Sequence, residues 1–325
     1  MKFTLPLLLM AALPNAEQSA PGTLLAVPDQ QISGILNTAA AASAPVALIV
    51  GGMGDLDRDG NRGPHIGAST YRFLAEALVR KGVSVARFDK RRLLDPRPGD
   101  HCASQTCPFS MLVDDAEREI NLVRAKTGAQ CLWLIGHSEG GLVSLLVATR
   151  RKDVCGLILL ASPGRPMLAL LREQIKKSWL DTPSKAFVDS LLTRNAKGQL
   201  VDVGTAPPAI RTAFSHARQR YLIEEFHSDP RTLLAGIQRP VMILQGKQDL
   251  QVFSSDAVAL HKANRASTLV ILPNIGHQLR SVKADDRLEN IAASLDRAKE
   301  IPDDIQRIIS SYILTNLGIK YTKSQ

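Results

Sequence analysis

The sequence predicts an α/β domain: a mostly parallel sheet with helices on both faces and a helical cap insertion late in the chain. Three observations predict it. From Val46 onward, short apolar runs alternate with longer segments of helical periodicity. The short runs are apolar throughout rather than at every second residue, as strands covered on both faces require. Between about Pro163 and Asp229 the alternation gives way to helix-rich, charged sequence, with a Gly/Pro-containing link near Gly204 to Pro208.

The elements follow in order. Val46 to Val50 reads as a buried strand that ends in glycines, and Ser69 to Arg80 as a helix with Phe73, Leu74, Leu78 and Val79 on its apolar side. Val83 to Phe88 is a second strand, and Ser110 to Lys126 a helix with acids early and Ser110 at its start. Leu132 to Ile135, Gly140 to Thr149 and Gly156 to Ala161 give strand, helix and strand. The insertion carries helical patterns over Leu168 to Trp179, Ser184 to Thr193 and Ala209 to Phe226. Its Leu168, Leu171, Ile175, Trp179, Phe187 and Phe226 serve either core packing or a pocket wall, and the helical spacing of the first four favours core. Val241 to Gln245 and Thr268 to Leu272 are further strands around a helix at Ser255 to Ala263, and Ile305 to Leu317 closes the chain as an amphipathic helix.

With 325 residues, 45% of them hydrophobic and 22% charged, the chain has ample capacity for a buried core. Its formal net charge is +9, but the basic residues come in short groups such as Arg91-Arg92, Arg150-Arg151-Lys152 and Lys176-Lys177. That dispersal, with aromatics at 4%, argues against a nucleic-acid partner. Met1-Lys2 followed by the apolar stretch Phe3 to Leu13 and small residues at Ala16, Ser19 and Ala20 predicts a signal peptide over 1–20 and an exported domain over 21–325. No later stretch is long and apolar enough to span a membrane.

Export gives the four cysteines meaning. Cys102 and Cys107 flank a short polar loop suited to a local disulfide. Cys131 and Cys155 each open an apolar run. On neighbouring strands they would pair; otherwise they would be reduced core thiols. No cysteine–histidine spacing suggests a metal site, and no cofactor is expected.

The chemistry is carried by Gly136-His137-Ser138-Glu139-Gly140, which a strand enters and a helix leaves. A serine on such a sharp turn is presented above the sheet, beside the free N–H groups of a helix N-terminus. Serine needs a general base, and the base an orienting carboxylate, in the chain order serine, acid, histidine. Of the four downstream histidines, His216 and His227 lie in the insertion and His261 in a helical pattern. His277 follows the last strand on a turn-rich loop and is the expected base. Asp249, just after the strand ending at Gln245, is the expected acid, with Asp256 as its competitor. The oxyanion donors are expected from the backbone N–H of Glu139 and of Met53, on the loop after the first strong strand. Main-chain roles leave the Met53 and Glu139 side chains less constrained by catalysis.

These motifs resemble those of bacterial α/β hydrolases of the serine aminopeptidase-like, dienelactone-hydrolase-like and esterase group. The resemblance rests on Gly52-Met53-Gly54 with Asp57-Arg58-Asp59-Gly60-Asn61, on Arg87-Phe88-Asp89-Lys90-Arg91, on the Ser138 pentapeptide, on Gln245-Gly246 through Asp249 and Val252, and on Gly276-His277. It covers the chain from about Pro45 onward, outside much of the insertion. It implies the α/β-hydrolase fold, Ser138, Asp249 and His277 as a triad, Met53 and Glu139 as oxyanion donors, and a small-molecule ester as substrate. Amide or peptide hydrolysis, other acyl transfer on the same triad, and a ligand-binding protein without turnover stand as alternatives. The Asp57-Arg58-Asp59 cluster is either an ion-paired brace for the oxyanion turn or a solvated loop. Two departures are visible: Gly51-Gly52 stands where His-Gly or Ser-Gly is commoner, and Arg92-Leu93 where a glycine is usual.

Overall fold

The computed structural model describes residues 22–27, 32–63, 66–92, 107–283 and 286–317. Eight strands form one sheet: β1 (Thr23–Val27), β2 (Ile32–Asn37), β3 (Val46–Val50), β4 (Ser84–Phe88), β5 (Leu132–His137), β6 (Val154–Leu160), β7 (Val241–Gly246) and β8 (Thr268–Leu272). Their order is β1-β2-β4-β3-β5-β6-β7-β8, with β1/β2 and β2/β4 antiparallel and every other pairing parallel. The predicted central strands are present, and all residues of β3, β4, β5 and β7 are buried. Their continuous apolar runs fit strands covered on both sides.

Eleven helices are described: α1 (Thr70–Arg80), α2 (Ser110–Thr127), α3 (Glu139–Arg150), α4 (Met167–Lys177), α5 (Thr182–Asn195), α6 (Pro208–Ala213), α7 (His216–Glu225), α8 (Pro230–Ala235), α9 (Ser254–Ala263), α10 (Arg287–Ala293) and α11 (Asp303–Thr315). Helices α1 and α11 belong to the apolar core on one face of the sheet, and α2 and α3 to the core on the other. Five helices, α4 to α8, lie between β6 and β7. The pattern expected as one helix over Ala209 to Phe226 divides into α6 and α7, because Ser215 caps a new start by accepting from Arg218 N–H at 3.3 Å. Asp229 likewise caps α8, accepting from Arg231 N–H at 2.9 Å. Val188, Leu191 and Leu222 of the insertion join the same cluster as Leu134 and Val143, so the inserted helices share the main core. Leu168, Leu171, Ile175, Phe187 and Phe226 pack against that cluster, whereas Trp179 is exposed.

Cys131 and Cys155 are disulfide-bonded, with Cα atoms 5.2 Å apart. Strand adjacency decides the choice left open above. The β5–β6 register passes from Leu132↔Val154 to Trp133↔Gly156, which leaves Cys155 as the extra residue of a bulge beside the end of β5. Cys107 is buried, while Cys102 lies outside the described residues, as do the signal-peptide residues 1–20. Among the described residues no helix is long and apolar enough to cross a membrane.

The strand order reverses direction at β3: β4 lies on one side of it and β5 on the other. The carboxyl ends of β3 and β5 therefore border a topological switch point, where open α/β sheets place ligands.

Candidate active site

Ser138 stands between β5 and α3 with φ 55° and ψ −127°, a strained backbone for a residue other than glycine. What makes the turn sterically feasible is the glycine on either side. A Cβ on Gly136 would lie 2.6 Å from the Gly140 carbonyl oxygen, and one on Gly140 would lie 2.1 Å from that of Val50. The positive φ falls on the serine itself, so the glycines serve close approach. Ser138 N–H donates to the Leu160 carbonyl at 2.9 Å and its own carbonyl accepts from Gly141 N–H at 2.9 Å, which ties the turn to β6 and to the first turn of α3.

Asp249 follows β7 and His277 follows β8, and the two side chains meet. His277 Nδ1 lies 2.7 Å from Asp249 Oδ2, and both residues are buried. The Asp249 carboxylate also accepts from Gln251 N–H at 2.7 Å, Val252 N–H at 2.9 Å and the Gln245 amide at 3.1 Å. With a carboxylate on Nδ1, the imidazole carries its proton there and leaves Nε2 as the free base. Ser138 Oγ and His277 Nε2 are not hydrogen-bonded to each other. The competitor Asp256 is engaged elsewhere, paired with Arg165 at 2.7 Å and accepting from Gly164 N–H at 3.1 Å. His216 and His227 are exposed, and His261 lies 3.0 Å from Ser267 Oγ.

His137, one residue before the serine, carries no role legible in the sequence, because a pentapeptide does not say where its variable residues point. It is buried against His277, ring centroids 4.8 Å apart. Its Nε2 lies 2.9 Å from the His277 carbonyl, which can only accept, so Nε2 carries the proton and Nδ1 accepts from the Tyr71 hydroxyl at 3.0 Å. Tyr71 Oη in turn accepts from Gly52 N–H at 2.8 Å. Burial and then the neighbouring His277 push the His137 pKa down to about 3, so it stays neutral and the relay keeps one direction. Burial also pushes the Tyr71 phenol up, keeping it protonated as a donor. This chain joins the loop after β3, the residue before Ser138 and the His277 loop.

Gly52 and Met53 follow β3. A Cβ on Gly52 would fall 3.1 Å from Ser138 Cβ, so the loop passes directly over the serine. Neither Met53 N–H nor Glu139 N–H has a hydrogen-bond acceptor among the described residues. Two unpaired donors next to a serine are what an oxyanion site needs. The Met53 side chain touches Arg218 of α7 and packs with Met167, Leu170, Leu171, Val252, Phe226 and Phe253 in a small apolar cluster.

The Glu139 side chain is fixed by packing: fully buried, its carboxylate pairs with Lys90 Nζ at 2.7 Å. Lys90 Nζ also donates to the Gly52 carbonyl at 2.6 Å. Glu225 and Tyr221 of α7 sit in the same buried neighbourhood, and burial followed by the Glu139 charge raises both well above their usual ranges. Within the Asp57-Arg58-Asp59 cluster Arg58 and Asp59 are ion-paired, while Asp57 is exposed and accepts from its neighbours Asp59 and Asn61. Arg58 forks onto Asp89, with contacts of 2.5 and 3.1 Å, and Asp59 pairs with Arg87 at 3.1 Å. Among the described residues no cluster of His, Cys, Asp and Glu is arranged to hold a metal ion.

Comparison with known proteins agrees with this architecture. The family described as "Serine aminopeptidase, S33" matches residues 62–281, more than half of the chain. Esterase EstD of Thermotoga maritima is 24% identical over 213 residues, 65% of this chain and 48% of that protein. The chain thus spans about half the length of the curated relative it matches. Among solved structures, Est1E from Butyrivibrio proteoclasticus superposes with a TM-score of 0.57 at 16% identity, covering 92% of this chain and 100% of that one. The meta-cleavage product hydrolase from Pseudomonas fluorescens superposes with a TM-score of 0.51 at 15% identity, covering 87% and 95%. At such identities the likeness is one of fold, the α/β-hydrolase fold.

Proposed function

The chain belongs to the serine aminopeptidase S33 family of α/β hydrolases, and from that premise we propose that it hydrolyses a carboxylic ester through an acyl-enzyme on Ser138. His277 is the general base, Asp249 its orienting carboxylate, and the N–H groups of Met53 and Glu139 receive the oxyanion. The observation that carries this reading is the buried His277–Asp249 contact of 2.7 Å, set at the carboxyl ends of β7 and β8 on the same edge as the strained Ser138 turn.

The steps follow from these positions. Ser138 Oγ meets His277 Nε2 in the reactive complex, a closure that catalytic hydrogen bonds often await until substrate binds. Oγ attacks the ester carbonyl as its proton passes to Nε2, and the carbonyl oxygen becomes an oxyanion between the two backbone donors. Asp249 stabilises the imidazolium without taking the proton. Collapse breaks the bond to the alcohol oxygen, which leaves with the proton from Nε2. Water, deprotonated by His277, then attacks the acyl-enzyme; collapse frees the carboxylic acid and returns the proton to Ser138.

The name of the curated relative, Esterase EstD, favours an ester over an amide as substrate. The apolar cluster of Met53, Leu170, Phe226 and Phe253 beside the oxyanion loop supports an apolar acyl or alcohol group. The Cys131–Cys155 bridge and the apolar N-terminal run together support export to an oxidising compartment. The test is turnover of p-nitrophenyl acetate against an aminoacyl p-nitroanilide, by wild type and Ser138→Ala. Ester turnover that vanishes in the variant supports the reading; a variant as active as wild type overturns it, and faster anilide turnover moves the substrate class to amides.

A further inference from the structure

From the contacts of the Lys90 side chain we infer that it is a positioning residue that polarises the oxyanion site through the Gly52–Met53 peptide. The inference rests on the proposed hydrolytic role of Ser138 and names a residue which that reading does not use. Lys90 follows β4, and its side chain turns inward with 13% exposure. Its ammonium group is shared between two acceptors: the Gly52 carbonyl at 2.6 Å and Glu139 Oε2 at 2.7 Å.

Each acceptor belongs to one half of the oxyanion site. The Gly52 carbonyl is the oxygen end of the peptide whose nitrogen end is Met53 N–H. Peptide resonance couples the two ends, so a cation on the oxygen draws electron density toward it and leaves the N–H more positive. Glu139 is the residue whose own N–H is the second donor. Lys90 therefore bridges the loop after β3 to the first residue of α3 and sets the spacing between the two donors. On its other side Gly52 donates its N–H to the Tyr71 hydroxyl at 2.8 Å, so the peptide before Gly52 is anchored by Tyr71 and the peptide after it by Lys90.

The Glu139 carboxylate offsets the lysine's charge at longer range, so the effect on the reacting carbonyl runs through the peptide rather than through space. A more positive Met53 N–H binds an oxyanion more strongly than it binds a neutral carbonyl. The benefit then falls on the transition state and appears in kcat with little change in KM.

The test uses the full chain, with Lys90→Met and the double variant Lys90→Met/Glu139→Gln. The single variant strands a buried carboxylate and risks misfolding; the double variant removes both charges at nearly constant volume. Thermal unfolding identifies folded protein, and kcat and KM are measured on p-nitrophenyl acetate. An alkyl boronic acid mimics the tetrahedral oxyanion adduct on Ser138. The double variant is expected to lose about 10- to 100-fold in kcat, less than the loss of a whole oxyanion donor, with KM within about twofold. Boronate affinity should fall in parallel with kcat/KM, a split from KM that a purely structural lysine would not produce. An active wild type and a folded double variant with kcat within about twofold of it overturn the role of Lys90 alone, as does lost kcat with unchanged boronate affinity. A wild type without ester turnover and without boronate binding overturns the hydrolytic reading and this inference together.

Discussion

Replacing Tyr71 by Phe removes one oxygen from the buried relay and almost nothing else. The ring stays edge-on to His137, centroids 5.7 Å apart, so no sizeable cavity opens. Two groups lose their partner: Gly52 N–H, now 2.8 Å from the hydroxyl, and His137 Nδ1, now 3.0 Å from it. Each buried polar group left unsatisfied costs about 1–3 kcal/mol, so the variant should be about 2–6 kcal/mol less stable. Because Gly52 precedes Met53, the oxyanion loop also loosens, and kcat should fall by about tenfold. The His277–Asp249 contact is untouched, so the pH dependence of kcat/KM should keep its position. Urea unfolding followed by tryptophan fluorescence, in which buried Trp133 reports the core, gives the stability. Steady-state kinetics between pH 5 and 9 give the rest. A loss below about 0.5 kcal/mol with unchanged kcat would refute the reasoning, since it would mean that neither group depends on the hydroxyl.

Three more outcomes follow from the same contacts. Asp249→Asn removes the carboxylate on His277 Nδ1 and should lower kcat by about 10³- to 10⁴-fold with a small change in KM; a loss under tenfold would deny Asp249 its orienting role. Cys131→Ser/Cys155→Ser opens a loop of 24 residues and should cost about 3.5 kcal/mol on the chain-entropy account, read as a lower unfolding midpoint; equal midpoints would show that the bridge does not form. Glu225 has a folded-state pKa raised by burial and by Glu139, so its contribution to stability is complete in acid and is lost as pH rises above the ordinary carboxylate range. The gain of Glu225→Gln over wild type should therefore grow from pH 5 to pH 8, by up to about 1.4 kcal/mol per unit, and a gain independent of pH would contradict the buried position of Glu225 beside the Glu139 charge.

Much of the site follows from local order along the chain. Ser138 is legible because a strand, two close-approach glycines and a helix surround it within a few residues. Asp249 and His277 stand out because each lies just past an apolar strand, where a parallel sheet gathers candidate functional side chains. Cross-strand facts are harder to read. That Tyr71 reaches His137, and that Lys90 lies between Gly52 and Glu139, depends on side-chain directions between elements 49 and 66 residues apart, which periodicity does not encode. The Cys131–Cys155 pairing needed the adjacency of β5 and β6 and the bulge at Cys155. Strands β1 and β2 lack the fully apolar pattern of the centre because they form the antiparallel edge, with residues of β1 exposed on one side. Helix α10 shows the same limit: it is short, and Leu288 and Ile291 stand exposed, so no buried stripe marks it.

The most direct measurement of the central claim is covalent labelling by a fluorophosphonate probe, with the modified peptide located by mass spectrometry. A fluorophosphonate reacts with a serine only where a base and an oxyanion site activate it. The account predicts stoichiometric modification of Ser138 in wild type, slowed by Asp249→Asn and absent in Ser138→Ala. A folded wild-type protein left unmodified, or modified at another serine, would contradict it.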